Sequence, residues 1–288
     1  MDGYLLIIAA TVLLALSFAI SKKYQLSVGD SATAGLFFNA ANGFFTAVVF
    51  LAICGFKVLL TPFSAAMAVL LSVFAAAYVL LGFKVMKSGG VSVYTMFLMS
   101  GGMILPYVYG LLRLGEDFSF LRLIGLILIL AATVITNTDG KMGRRSLIPL
   151  LILIFVLNGL VSIVSKVHQT AGTYETVSAE QFVMWSGVAK LAVCAVSLIF
   201  IKKNDAPRGI KLIHALPLIA ASAVIGGVSY LLQLIGAESV PASVLYPCVT
   251  GGSIIFSAIA DIIFFRSFPT LRQWIAIAVC FIGTCLFI

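Results

Sequence analysis

The sequence predicts an all-α integral membrane protein, with ten transmembrane helices arranged as two inverted five-helix repeats. Three observations lead there: an extreme apolar composition, a succession of bilayer-length apolar runs, and an echo between the two halves of the chain. Of 288 residues, 62% are hydrophobic and 10% charged, with a mean hydropathy of +1.18. A water-soluble globule of that composition would expose far more apolar surface than soluble proteins carry. The runs lie at about residues 3–21, 33–55, 65–86, 92–113, 119–137, 146–166, 180–201, 213–236, 241–263 and 270–288. Each approaches the roughly 20 residues a helix needs to cross the hydrocarbon core. The echo pairs Ser100-Gly101-Gly102 with Thr250-Gly251-Gly252, and Phe118-x-x-Leu121-Arg122 with Phe268-x-x-Leu271-Arg272.

The first run follows Met1-Asp2-Gly3 without a basic leader and is too long for a typical signal peptide, so it is expected to remain as the first span. Long unbroken runs, unlike ten-residue alternating ones, choose helices over a barrel. Span one closes with Ser21-Lys22-x-x-Gln25 and span six with Ser165-Lys166-x-x-Gln169. Tyr78 and Tyr230 occupy the third helix of each half. These matches extend the echo to a first repeat over 1–138, a polar basic linker at 139–145 and a second repeat over 146–288. Five spans per repeat is an odd number, so the second repeat enters the membrane from the opposite side.

The formal charge of +8 is scattered over short turns, which fits contact with lipid headgroups and excludes a nucleic-acid surface. Turns after odd-numbered spans carry Lys22, Lys23, Lys84, Lys87, Lys141, Arg144, Arg145, Lys202, Lys203, Arg208, Lys211, Arg266 and Arg272. The opposite side carries Lys57, Arg113, Arg122 and Lys166. The positive-inside rule makes the richer side cytoplasmic and places both termini outside a cell membrane. Cys54, Cys194, Cys248, Cys280 and Cys285 show no metal or redox spacing and read as small packing residues.

Catalysis has little to stand on, since no nucleophile triad, carboxylate pair, metal-ligand spacing or phosphate-cradling glycine loop is visible. No cofactor or metal is expected. The informative polar residue is Lys190, near the middle of span seven. A cation there costs roughly 2.5–3.5 kcal/mol on insertion scales, so it must face a cavity or a partner. The partner is either structural, Asp261 or a carbonyl cluster, or the anionic group of a ligand. Span two offers Asn39 and Asn42 on one face. Aligning Ser31-Ala32 with Ser178-Ala179 sets Gly43 opposite Lys190 and Asn39 opposite Ser186. Gly101 and Gly251 permit close helix approach or a cavity wall, with Tyr94, Ser100, Tyr246 and Thr250 beside them. Tyr78, Tyr230, Gln233, Asn158 and Trp185 complete the candidate pocket. Asp261, five residues before Arg266, is either an interfacial ion pair or a proton-coupling carboxylate.

The turn Leu114-Gly115-Glu116, followed by Phe118-Ser119-Phe120-Leu121-Arg122-Leu123-Ile124-Gly125, resembles the end of the repeat unit of EamA-type, ten-helix members of the drug/metabolite transporter superfamily. Val240-Pro241-Ala242-Ser243, the helix after Phe268, and the two third-helix tyrosines are similar to the same pattern. Phe265-Arg266 stands where the second unit would repeat Gly-Glu, and the small multidrug exporters' glutamate in span one has no counterpart. The resemblance implies a secondary transporter, with export as the expected direction. The cargo would be a small metabolite, amino-acid-like or carboxylate-bearing, coupled to a proton or counter-substrate. Family habit places both termini inside, against the charge count. A lipid-carrier flippase of the same fold, or an intramembrane enzyme, is the alternative.

Overall fold

In the computed structural model, residues 3–29, 31–89, 91–137, 147–200 and 209–287 are described, and the linker expected at 139–145 lies outside them. The described residues form eleven helices: α1 (Gly3–Val28), α2 (Ala32–Ile53), α3 (Pro62–Gly89), α4 (Val91–Arg113), α5 (Phe120–Asn137), α6 (Ile148–Thr170), α7 (Ala179–Phe200), α8 (Gly209–His214), α9 (Leu216–Ser239), α10 (Ala242–Phe265) and α11 (Leu271–Cys285). Among them α1–α4, α6, α7, α9 and α10 are long and apolar enough to cross a membrane, and α5 and α11 are shorter apolar helices. The eighth span is shifted and preceded by the short α8, with Ala215 between them. Pro217, at the second position of α9, has no N–H to give and its ring clashes with the carbonyl four residues back, which ends α8. Large apolar side chains such as Leu112, Ile199, Phe200 and Leu271 point outward, where a bilayer supplies the apolar surroundings that water would not.

Every substantial helix contact between the halves either has a counterpart or is its own counterpart. With α1–α5 set against α6, α7, α9, α10 and α11, the α1–α9 contact answers α3–α6, α1–α10 answers α4–α6, and α2–α9 answers α3–α7. The pairs α2–α7, α4–α10 and α5–α11 map onto themselves. This exchange is the signature of an inverted repeat. Its register is written at the α2–α7 crossing. A Cβ on Gly43 would stand 2.6 Å from the Gly187 carbonyl and 2.8 Å from Leu191 N, while one on Gly187 would stand 2.8 Å from the Gly43 carbonyl and 2.9 Å from Ala47 N. The offset is therefore 144, the same as from Ser21 to Ser165, and the alignment through Ser31 and Ser178 is corrected. Gly43 answers Gly187, Asn42 answers Ser186, and Thr46 answers Lys190.

The glycine echo is corrected by one residue. Gly101 packs against the Phe155 carbonyl of α6, and Gly252 against Thr11 of α1, whereas Gly251 faces Thr284 and Ile129. Gly101 therefore answers Gly252. The same offset of 151 carries Gly115 (φ +66°) onto Arg266 (φ +51°), the two left-handed residues that end α4 and α10. Arg266 thus stands at the glycine position rather than the glutamate position. The second turn is one residue shorter, which restores the offset of 150 at Phe118 and Phe268.

Two ends follow from the chain path. End I carries the connections 54–61, 114–119, 171–178 and 240–241, and Gly3 lies there against Ser239 and Val240. End II carries the connections 29–31 and 266–270. At end I the Glu116 carboxylate accepts the N–H groups of Ala242 (2.6 Å) and Ser243 (2.8 Å), capping α10 from the other repeat. Gly110 leaves the space that Glu116 fills. An anion at a helix N-terminus meets unpaired N–H groups and the positive end of the dipole. Glu116→Gln is expected to lower stability by about 1–2 kcal/mol, because one charged acceptor becomes a donor facing N–H groups. A thermal-unfolding comparison of the purified proteins checks this, and an unchanged midpoint refutes the cap.

Candidate functional site

Between α1, α2, α3, α4, α6, α7, α9 and α10 lies a cavity of about 500 Å³, within the size range of small-molecule sites. The glycine crossing forms part of its wall, with Gly187 among the lining residues. Because Gly43 and Gly187 carry no side chain, α2 and α7 touch along their backbones, and the flanking residues Asn42, Thr46, Ser186 and Lys190 all line the cavity. These four are two symmetry-related pairs, so they surround the local two-fold axis. Lys190 Nζ donates to Asn42 Oδ1 at 3.2 Å. Among the described residues no carboxylate lies within ion-pair distance of Lys190; the one that might have, Asp261, pairs with Lys22 at 2.8 Å. The buried Ser186 Oγ has no hydrogen-bond partner among the described residues.

The other polar groups are mostly tied into the scaffold. Asn39 donates to the Gly35 carbonyl (2.9 Å), Asn158 to the Leu98 carbonyl (2.7 Å) and Gln233 to Ser229 Oγ (3.3 Å). Each uses its amide nitrogen, which leaves a side-chain carbonyl oxygen for the cavity that all three line. Ser165 Oγ donates to the Val161 carbonyl (3.0 Å), so the Tyr230 hydroxyl, 2.8 Å away, donates to Ser165. Tyr246 donates to the Ser162 carbonyl at 2.5 Å. Tyr78 and Thr250 also line the wall.

Six expected residues lie off the cavity. The Tyr94 ring is seated against Gly82 in the cluster around Val85 and Ile154. Gly101 and Gly251 serve helix contacts, and of the four echo glycines only Gly102 reaches the wall. Ser100 is half-buried outside the lining. Trp185 sits at end I, where its indole N–H donates to the Leu59 carbonyl at 2.8 Å. Asp261 pairs with Lys22, not Arg266, at end II, with side chains 38% and 42% exposed, and Lys22 lies 4.6 Å from the Phe265 ring centre. An exposed pair of this kind contributes at most about 1 kcal/mol. Asp261→Asn should therefore shift thermal stability by less than about 1 kcal/mol, and a larger loss would show the pair to be structural.

Thr46, Ser72, Ser17, Ser21 and Ser222 line the cavity without having been expected to. Thr46 was within reach, since it continues the Asn39, Asn42 stripe at helical spacing. The serines carry no such signal, because short hydroxyls are common at any helix contact in a membrane.

The two ends differ. Lys166, the counterpart of Lys22, is only 4% exposed, and its ammonium donates to the carbonyls of Ala237 (2.5 Å) and Val240 (2.8 Å) at the end of α9. Beside it, His168 Nε2 meets Ser64 Oγ at 2.9 Å, and the ring stacks on Phe182 at 3.7 Å. Ser64 Oγ in turn accepts the Val177 N–H at 3.1 Å. End I is thus closed by interlocked polar contacts. At end II the corresponding lysine, Lys22, is half-exposed and paired with Asp261 instead of buried on backbone carbonyls.

No group of three or more histidine, cysteine or acidic side chains suited to a metal occurs among the described residues.

A family model described as the EamA-like transporter family matches residues 145–288. A crystal structure of another protein superposes with a TM-score of 0.79 at 16% sequence identity, covering 99% of this chain and 96% of that one; at that identity the likeness concerns the fold. No curated protein matches the chain.

Proposed function

Because the chain belongs to the EamA-like transporter family and is a multi-pass membrane protein, we propose that it is a secondary transporter exporting a small carboxylate-bearing metabolite by alternating access of the central cavity. The observation that carries this reading is Lys190, a cation in the cavity wall that shares only a neutral amide, with no carboxylate near it among the described residues. A charge held inside a membrane needs a partner, and an anionic cargo supplies one. Asn42 and Ser186 hold the same group, while Tyr78, Tyr230, Tyr246, Asn39, Asn158, Gln233 and Thr250 shape the remaining wall. The driving force is a proton gradient or a counter-substrate.

End II faces the cytoplasm in this proposal, so both termini lie outside. The charge asymmetry supports this orientation, and Lys166, engaged by two carbonyls, leaves end I still poorer in free positive charge. A fluorescent reporter that matures only in the cytoplasm, fused to the carboxy terminus, should stay dark; a bright fusion overturns the orientation. The function itself is tested by untargeted metabolite profiling of cells lacking or overproducing the protein. Overproduction should lower at least one small organic acid inside the cell and raise it in the medium, and unchanged profiles in both strains would defeat the reading.

A further inference from the structure

The proposed cargo leaves open whether it is an amino-acid-like zwitterion or a plain anion, and the charges around the cavity discriminate between them. We infer that the site takes an organic monoanion, a monocarboxylate with an uncharged body, in preference to a zwitterion, a cation or a dianion. This rests on the transporter reading for its biological meaning, and on the cavity alone for its chemistry.

Among the described lining residues the cavity holds one cation, Lys190, and no carboxylate. Glu116 is engaged by two backbone N–H groups at end I and Asp261 by Lys22 at end II. A monocarboxylate on Lys190 leaves the cavity neutral. A zwitterion would place a desolvated ammonium in the same space with only amide and hydroxyl dipoles to meet it, and a dianion would leave its second charge without a counter-ion. The donor set for one carboxylate is at hand: Lys190 has two protons beyond the one on Asn42, the Asn42 amide nitrogen has no partner among the described residues, and Ser186 brings a buried hydroxyl without a partner among them. Ser186 stands one helical turn from Lys190 on the same face of α7 and is the symmetry counterpart of Asn42, so the three donors belong to one stretch of the cavity wall. An unpaired buried hydroxyl is costly to keep unless something fills it. Beyond this point the wall is dominated by apolar and aromatic side chains such as Leu71, Val79, Tyr78 and Tyr246, which suit an uncharged body.

The test uses the purified full-length protein and a six-carbon series at constant ionic strength: hexanoate, norleucine, hexylammonium, hexanamide and adipate. The readout is the concentration that half-saturates the rise in thermal-unfolding midpoint. Hexanoate is expected to act at concentrations at least about tenfold below norleucine and adipate, with no rise from hexylammonium or hexanamide. Lys190→Met should abolish the response, and Ser186→Ala should weaken it by about tenfold, the scale of a hydrogen bond to a charged group. Should Lys190→Met fail to fold, Ser186→Ala and Asn42→Ala decide the matter. The inference is overturned if norleucine, adipate or hexylammonium matches hexanoate, if hexanoate gives no rise, or if the variants that fold respond like the parent. Flux in proteoliposomes separates the two claims. Hexanoate binding without flux counts against the transporter and leaves the anion site standing. Flux of zwitterions with no preference for hexanoate does the reverse.

Discussion

Lys190→Ala should abolish transport while the protein folds and inserts normally. The ammonium is the one fixed positive charge on the described cavity wall, and its loss removes the group that offsets the charge of the cargo. Charge-assisted hydrogen bonds are about twice as strong as neutral ones, and removing one partner of a desolvated charge pair costs about 2–5 kcal/mol. That corresponds to a fall in transport of at least about thirtyfold. Folding should not suffer in step. A cation in mid-membrane opposes insertion by roughly 2.5–3.5 kcal/mol, and the single bond to Asn42 at 3.2 Å returns only part of that. The variant should therefore express, insert and unfold at or above the temperature of the parent. Uptake into inverted vesicles, read beside the unfolding midpoint, separates the roles: retained transport makes Lys190 a structural residue, and a large drop in midpoint makes it a packing residue.

The span pattern was legible because apolar length is a direct physical requirement of the bilayer, and the odd number of spans per repeat forced the inversion. Register was harder to read. Ser31 caps α2, and Ser178 lies in the same place before α7, yet the helices are related through Gly43 and Gly187, three residues out of step with those serines. Backbone contact sets the crossing, and a capping residue can slide along a helix without disturbing it. In the same way the ungapped echo at 150 joined Gly101 to Gly251, while the shorter turn at Arg266 shifts the true partner to Gly252.

Site residues divide by the same logic. Lys190, Asn39 and Asn42 were legible because polar groups inside long apolar helices must face something other than lipid. Tyr94, Trp185, Gly101 and Gly251 were not, because helices apolar all round give no stripe from which to tell cavity from contact. Trp185 shows the difficulty. It lies one residue from Ser186, but that step of about 100° turns it from the cavity to the Leu59 carbonyl.

Glycine at the crossing is the second place where one atom should matter greatly. In Gly43→Ala the new methyl would meet the Gly187 carbonyl at 2.6 Å, Leu191 N at 2.8 Å and Lys190 Cβ at 3.2 Å. The first two are backbone atoms of α7, so no rotamer change relieves them and the helices must part. Overpacking of this kind costs about 1–3 kcal/mol, against a helix-propensity gain for alanine over glycine of up to about 1 kcal/mol. Parting α2 from α7 also spreads Asn42 from Lys190 and Thr46 from Ser186, so transport should fall further than the stability loss alone requires. Gly236→Ala is the matched control, since the nearest atoms to its methyl would be Ile7 Cγ1 at 3.5 Å, Leu245 Cδ1 at 3.8 Å and the Gly3 carbonyl at 3.9 Å, ordinary van der Waals contacts. It should leave transport unchanged and raise stability by up to about 1 kcal/mol through propensity. Thermal unfolding and flux measured on both variants decide the issue. If Gly43→Ala behaves like Gly236→Ala, the two helices do not meet through their backbones, and the two-fold register read from that contact is lost with it.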